Sequence, residues 1–245
     1  MADSTGKKPF IIAIDGPAGS GKSTAARLFS EMEKLTHLNT GAMYRAVAYL
    51  ALEGGIDPDA QPALVEQIAR EMVFEYHLVG AGQHFFVSPK PNSPLQDVSR
   101  EIFTAALTQK LKPVVNNEAV RAVLVKKMRD AAFHVLEQGA KGVVLEGRDI
   151  GTVVFPDAFL KFYLHADLDE RARRRAAELR SKGEVFTEEG LKQQIAYRDQ
   201  IDSTRTVGPL KKADDAIDLD TSNMPIPQVL TRLHEELQKR VDLVR

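Results

Sequence analysis

A β-branched apolar run, Phe10-Ile11-Ile12-Ala13-Ile14-Asp15, leads into Gly16-Pro17-Ala18-Gly19-Ser20-Gly21-Lys22-Ser23 and then into Thr24–Met32, which reads as a helix. Strand, glycine-rich turn and helix, in that order, are the setting a phosphate-binding loop requires. The glycines let backbone N–H groups crowd around phosphate oxygens, and the helix N-terminus adds positive dipole. Lys22 is placed to reach β- and γ-phosphates, and the Ser23 hydroxyl to face magnesium. A chance glycine turn before a helix is the bland alternative, and the flanking elements count against it. The segment Gly16 to Thr24 implies a nucleoside triphosphate site.

The rest of the chain alternates strand and helix. His37–Thr40 reads as a second short strand, and Gly41–Leu50 as a helix that stops at Glu53-Gly54-Gly55. A third helix is expected from Pro62 to Glu71. Then Val73–Val79 and Gln83–Val87 flank Gly80-Ala81-Gly82, a hairpin signal that marks a small β insertion. Helices are expected over 99–111 and 118–138, with a break at Pro113. Gly142–Leu145, Leu160–Leu164 and Ala216–Leu219 read as strands buried on both faces. Asp167-Leu168-Asp169-Glu170 has the form of a capping box. A further helix starts at Thr187, and an amphipathic helix over 227–244 closes the chain. Such alternation implies a parallel sheet wrapped by helices, with ligands at the carboxyl ends of the strands.

Composition narrows the functional classes. The 245 residues could form one large or two small domains. The formal net charge of −1 argues against a protein that coats nucleic acid, which needs a basic excess. Cysteine is absent, so neither a disulfide nor a thiolate metal site is expected. The six histidines show no metalloprotease spacing. No apolar run is long enough to cross a bilayer, and Met1–Lys8 is polar and lacks a secretory h-region, so it reads as a frayed tail. The cytoplasm is the default expectation.

Past the phosphate loop, the informative residues are arginines and carboxylates. Arg148 and Asp149 follow a buried strand directly: either a turn ion pair or ligands at the strand's carboxyl end. Arg198, Asp202 and Arg205 are spaced to share one helical face, which fits an intrahelical ion pair as well as a site beside Gly208-Pro209. Arg171, Arg173, Arg174 and Arg175 crowd one helix. A solvated face is the plain reading. The sharper one is a closing lid, Ser181-Lys182-Gly183-Glu184 forming its tip, that brings arginine to a transferred phosphoryl group.

These motifs together resemble the bacterial cytidylate kinases, nucleoside monophosphate kinases that phosphorylate CMP and dCMP with ATP. The resemblance rests on residues 14–23, on Asn39-Thr40-Gly41-Ala42-Met43-Tyr44-Arg45, on Gly147–Ala158, and on Arg198–Arg205 followed by Pro209-Leu210. It implies an α/β P-loop kinase whose central parallel sheet is wrapped by helices, with a monophosphate-binding subdomain carrying a small β insertion and with a helical lid. The implied division is a core of 9–40, 116–170 and 206–245, a monophosphate-binding subdomain of 41–115, and a lid with its flanking helices at 171–205. Lys22, Arg148 and Arg198 are then the catalytic residues. The loop residues with Arg171 and Arg174 bind ATP. Thr40, Arg45, Lys112, Arg121, Arg148, Asp149, Arg198, Asp202 and Arg205 bind CMP, Asp149 facing the cytosine amino group, which a carboxylate attracts, whereas it repels the oxygen that uracil carries there. Mg²⁺ meets Ser23 and, through water, Glu146. ATP and CMP or dCMP are the implied partners of a monomer that needs neither nucleic acid nor membrane.

Three positions depart from the family pattern. Lys112 stands where some members carry serine, and an ammonium has no acceptor for the cytosine amino group. Glu146 replaces a frequent aspartate and reaches one carbon further. Thr40 replaces a serine and keeps the hydroxyl. Two rivals remain: a relaxed pyrimidine kinase that also takes UMP, and a regulator that senses ATP without transferring phosphate. An RNA-binding protein would lack its aromatic platform and basic excess here.

Overall fold

The structure, a computed structural model, describes residues 10–79, 82–181 and 183–243. Among these residues the strands are β1 (Phe10–Asp15), β2 (Thr36–Asn39), β3 (Val73–Val79), β4 (Gly82–Ser88), β5 (Gln96–Asp97), β6 (Gly142–Gly147), β7 (Leu160–His165) and β8 (Ile217–Asp220). The α-helices are α1 (Lys22–Glu33), α2 (Thr40–Glu53), α3 (Pro62–Glu71), α4 (Ala105–Gln109), α5 (Leu111–Asn116), α6 (Glu118–Glu137), α7 (Leu168–Ser181), α8 (Glu188–Thr204) and α9 (Ile226–Asp242). The expectations placed on Met1–Lys8, on Gly80 and Ala81, on Lys182 and on Val244 lie outside the described residues. The chain divides into two units, Met1–Asn39 with Ala131–Arg245, and Thr40–Asp130.

The first unit holds a sheet in the order β2-β6-β1-β7-β8, and every pairing in it is parallel. The continuous apolar runs explain this: Ile12, Ile14, Val143, Val144 and Leu145 are fully buried, as strands covered on both faces must be. On one face Ala25, Ala26 and Phe29 of α1 pack with Val229, Leu233 and Leu237 of α9. The spacing of those α9 residues makes a single apolar stripe. A smaller cluster joins α7 to α8 through Ala172, Ala176, Leu179, Leu191 and Ile195. Because β1 pairs with β6 and β7 in parallel, Asp15, Gly147 and Tyr163 stand side by side at one edge.

The second unit carries α2, whose Ala42, Ala46, Val47, Ala48 and Ala51 are fully or almost fully buried, and the antiparallel order β3-β4-β5. β3 and β4 pair from Val73↔Ser88 to Val79↔Gly82, so the hairpin inferred from the sequence is present. β5 was not expected; its two residues pair with Phe86 and Val87.

Three local expectations need correction. The helix foreseen over 99–111 is broken into a 3₁₀ turn at Glu101–Phe103, then α4, then α5. Thr104 interrupts it by turning extended and capping α4, its hydroxyl accepting from the Leu107 amide at 3.3 Å. Pro113 does not break the chain; it lies in the first turn of α5, where a missing N–H costs nothing. The capping box at α7 does not close: the Asp167 amide donates to Ser222 Oγ at 2.8 Å, while Glu170 accepts from Arg173 and Arg174.

Phe29 is fully buried at the α1–α9 contact. Phe29→Ala is expected to destabilise the protein by about 3–5 kcal/mol, read as a fall in the urea midpoint at unchanged slope.

Candidate active site

The glycine-rich loop joins β1 to α1 at the edge where the strands end. Its first glycine is fixed by space: a Cβ on Gly16 would lie 2.0 Å from the Leu164 carbonyl oxygen. Gly19 and Gly21 adopt φ of 74° and 84°, in the left-handed region that favours glycine. Lys22 is buried and donates from Nζ to the Pro17 carbonyl at 2.9 Å, folding back along the loop. Burial brings its ammonium down to about 7; Arg148 adds to this and Glu146 opposes it. A polyanion arriving there reverses that loss of charge.

Beside Lys22, the Ser23 hydroxyl donates to Glu146 Oε2 at 2.5 Å. Glu146 is itself buried, with its Oε1 3.6 Å from His37 Nε2. Burial opposes ionisation, yet the His37 contact, the charge of Lys22 and the Ser23 bond together hold this carboxyl below its ordinary range. Ser23 and Glu146 thus place two hard oxygen donors together, which suits magnesium, an ion that keeps water and phosphate for its remaining ligands.

A second group of charges gathers at the end of β6 and on α8. Arg148 Nε donates to Asp202 Oδ2 at 2.8 Å. Arg205 lies 3.5 Å from Asp202 Oδ1 and 3.6 Å from Asp149 Oδ1, and its Nε donates to the Gly208 carbonyl. Arg205 is not on the helical face proposed for it: α8 ends at Thr204 and Arg205 turns extended as its cap residue. Burial, with Arg148 close by, brings Arg198 down to about 10. Its guanidinium has no hydrogen-bond acceptor among the described residues. Arg148 and Arg198 both act on the charge of Lys22, so the three residues expected to be catalytic share one neighbourhood.

The arginines of α7 are neutralised by the protein's own carboxylates. Arg173 grips Glu170 with two bonds of 2.7 Å, Arg174 shares that carboxylate, and Arg175 pairs with Glu178. Their crowding on one helix is therefore answered within α7 itself. Arg171 pairs with Asp199 on α8.

In the second unit, Thr40 is buried at the start of α2. Arg45 Nη1 donates to the Ile102 carbonyl and to Thr108 Oγ1, each at 2.9 Å, under the Phe103 ring. Arg121 is buried against the Tyr44 ring, its guanidinium carbon 5.5 Å from the centroid. Lys112 is exposed on α5.

Three residues escaped the sequence reading. Asp199 was passed over between Arg198 and Asp202, and His37 was taken only as strand. Asp15 accepts from the Ile150 and Gly151 amides at 2.8 and 2.7 Å, at the head of a π-helical turn, Ile150–Val154. A lone carboxylate closing an apolar strand was the available signal for it.

A P-loop on a parallel five-stranded sheet, with clustered arginines at the strand ends, defines a phosphotransferase of the P-loop kinase class. The cytidylate kinase family model matches residues 12–239, and the chain belongs to that family. It is 40% identical to the cytidylate kinase of Bacillus pumilus over 228 residues, covering 93% of this chain and 95% of that one. It is 42% identical to the bifunctional pantoate ligase/cytidylate kinase of Synechocystis over 237 residues, 94% of this chain but only 43% of that protein. A solved structure of an uncharacterized protein from Eubacterium ventriosum shares the fold, with a TM-score of 0.50 at 12% identity, over 95% of this chain and 99% of that one.

Burial pushes the Asp15 carboxyl up to about 6, against the pull of the Gly151 and Ile150 amides and with help from the charge of Asp149. Between about pH 4 and that value the folded chain holds a proton that the unfolded chain has lost, so this contribution to stability fades as pH rises through the window. Asp15→Asn removes the proton. Its unfolding free energy should therefore climb relative to wild type from pH 4 to pH 6 in urea titrations; a constant difference would refute the assignment.

Proposed function

We propose that the phosphate loop, Gly16 to Thr24, with Arg171 and Arg174, forms the ATP half of the site. We assign Thr40, Arg45, Lys112, Arg121, Arg148, Asp149, Arg198, Asp202 and Arg205 to CMP. The chain transfers the γ-phosphoryl group of ATP to CMP and dCMP, giving ADP and the diphosphate, a step of pyrimidine nucleotide metabolism. The observation that carries the residue assignment is the convergence of Lys22, Arg148 and Arg198, with Glu146 and Asp202 among them, on one neighbourhood at the strand ends.

Phosphoryl transfer asks for positioning and charge neutralisation rather than covalent help. Lys22 lies along the loop that holds the triphosphate. Arg198, with no acceptor among the described residues, and Arg148, held by one carboxylate, offer forks that match phosphate oxygens. In this scheme Asp202 holds Arg148 in place and, with Arg198, binds the sugar hydroxyls, with Arg205 supporting them or reaching the phosphates. Ser23 and Glu146 would hold magnesium, which neutralises the charge of the β- and γ-phosphates when bound. Among the described residues no cluster of three or more carboxylate or histidine ligands is present, which fits an ion held mainly by nucleotide and water. No helix among the described residues is long and apolar enough to cross a membrane. The same reading has the enzyme working as a monomer in the cytoplasm.

Lys22→Ala should lower kcat by roughly a hundredfold or more while CMP affinity stays within about threefold, measured by coupled ADP release and by calorimetry. Equal kcat in mutant and wild type would contradict the role of Lys22. A panel of nucleoside monophosphates with ATP and magnesium tests the acceptor. With Asp149 reading the cytosine amino group, kcat/KM for CMP should exceed that for UMP by about tenfold or more. UMP within about threefold of CMP would transfer the case to the relaxed pyrimidine kinase.

A further inference from the structure

Two arginines and one aspartate meet the phosphate loop from its outer side, and what they touch is its backbone. Arg171 Nε donates to the Ala166 carbonyl at 2.8 Å, just past the end of β7, and its Nη1 donates to the Ala18 carbonyl at 3.0 Å. The Ala18 amide in turn donates to Asp199 Oδ1 at 3.1 Å, and the other oxygen of Asp199 accepts from Arg171. Both polar groups of Ala18 are thus held by one ion pair drawn from α7 and α8. Two residues on, Arg174 Nη1 donates to the Ser20 carbonyl at 3.2 Å while its Nη2 donates to the Thr221 carbonyl.

Peptide geometry gives these bonds a consequence. Every peptide among the described residues is trans, so the C=O and N–H of each unit point in opposite directions. Turning the Ala18 carbonyl out to Arg171 turns the Gly19 amide inward, and turning the Ser20 carbonyl out to Arg174 does the same for the Gly21 amide. Neither amide has an acceptor among the described residues. The unit between Pro17 and Ala18 is reversed: its carbonyl faces Lys22 and its amide faces Asp199. The packing agrees, since a Cβ on Gly19 would meet the Arg171 Cβ and carbonyl oxygen at 3.3 Å, and one on Gly21 would meet Arg174 Nη1 at 3.3 Å.

We propose that Arg171, Asp199 and Arg174 are positioning residues that aim the Gly19 and Gly21 amides of the phosphate loop at the nucleotide. This rests on the kinase reading above and deepens its ATP half: the two arginines act through the loop as well as on it. Amides aimed in advance bind an anion without the cost of ordering them at the moment of binding.

Asp199 separates this role from a direct arginine–phosphate contact, because an anion beside a polyphosphate is unfavourable in itself. If Arg171 served only as a phosphate ligand, Asp199→Asn would free its guanidinium, remove a like charge, and leave ADP binding equal or tighter. As a positioning residue, Asp199→Asn should weaken ADP binding about tenfold in metal-free calorimetry, with CMP affinity within about twofold of wild type. Arg174→Ala should behave likewise, and KM for ATP should rise more than kcat falls in both. Arg173→Ala, on the exposed side of the same helix, should change neither affinity. Thermal unfolding of each variant identifies any loss due to misfolding, and Arg171→Lys provides a second, less disruptive probe of the same pair. ADP affinity unchanged or improved in Asp199→Asn overturns the proposal, whereas absence of diphosphate formation in the wild type would instead overturn the kinase reading.

Discussion

β1 has a hydrogen-bonded partner along each edge, β6 on one side and β7 on the other, and all three strands run the same way. Parallel pairing of buried strands leaves their carboxyl ends level, and the chain must turn away there. The phosphate loop leaves from β1, Arg148 and Asp149 from β6, and the approach to α7 from β7. Each is carried to the same edge by a strand whose register is set by apolar burial.

Charge compensation then decides what that edge can bind. Carboxylates and guanidinium groups alternate across it: Glu146 beside Lys22, Asp202 between Arg148 and Arg205, Asp199 against Arg171. Ions taken out of water in this way are tolerated only when paired. Arg198 differs from Arg148, Arg171 and Arg205 in having electrostatic neighbours but, among the described residues, no carboxylate at ion-pair distance. A site for an incoming anion is a place where the protein has left its positive charge incompletely answered.

Much of this was legible in the sequence because the constraints were local. Glycines at positions 16, 19 and 21 answer to backbone geometry within one loop, and the buried strands announce themselves by uninterrupted apolar runs. The family likeness likewise followed from short motifs. Ion-pair partners were not legible, since pairing depends on which distant segments the fold brings together. Arg174 reaches Ser20 across 154 positions, and nothing in the crowding of residues 171–175 pointed there. The broken helices of residues 101–116 were missed for the opposite reason: Thr104 acts there as a cap, whereas attention went to Pro113, which a first turn accepts.

The strand order has an effect on how the polypeptide matures. The sheet of the first unit cannot close until β6 and β7 exist to flank β1, and its helical wall waits for α9, further along the chain still. Thr40–Asp130, by contrast, is one uninterrupted stretch. During synthesis on the ribosome that stretch can condense while the segment bearing the phosphate loop is still searching for its neighbours. Nucleotide capture therefore waits on segments far along the chain from the loop itself, a burden of long-range closure carried by chains that interrupt one unit with another.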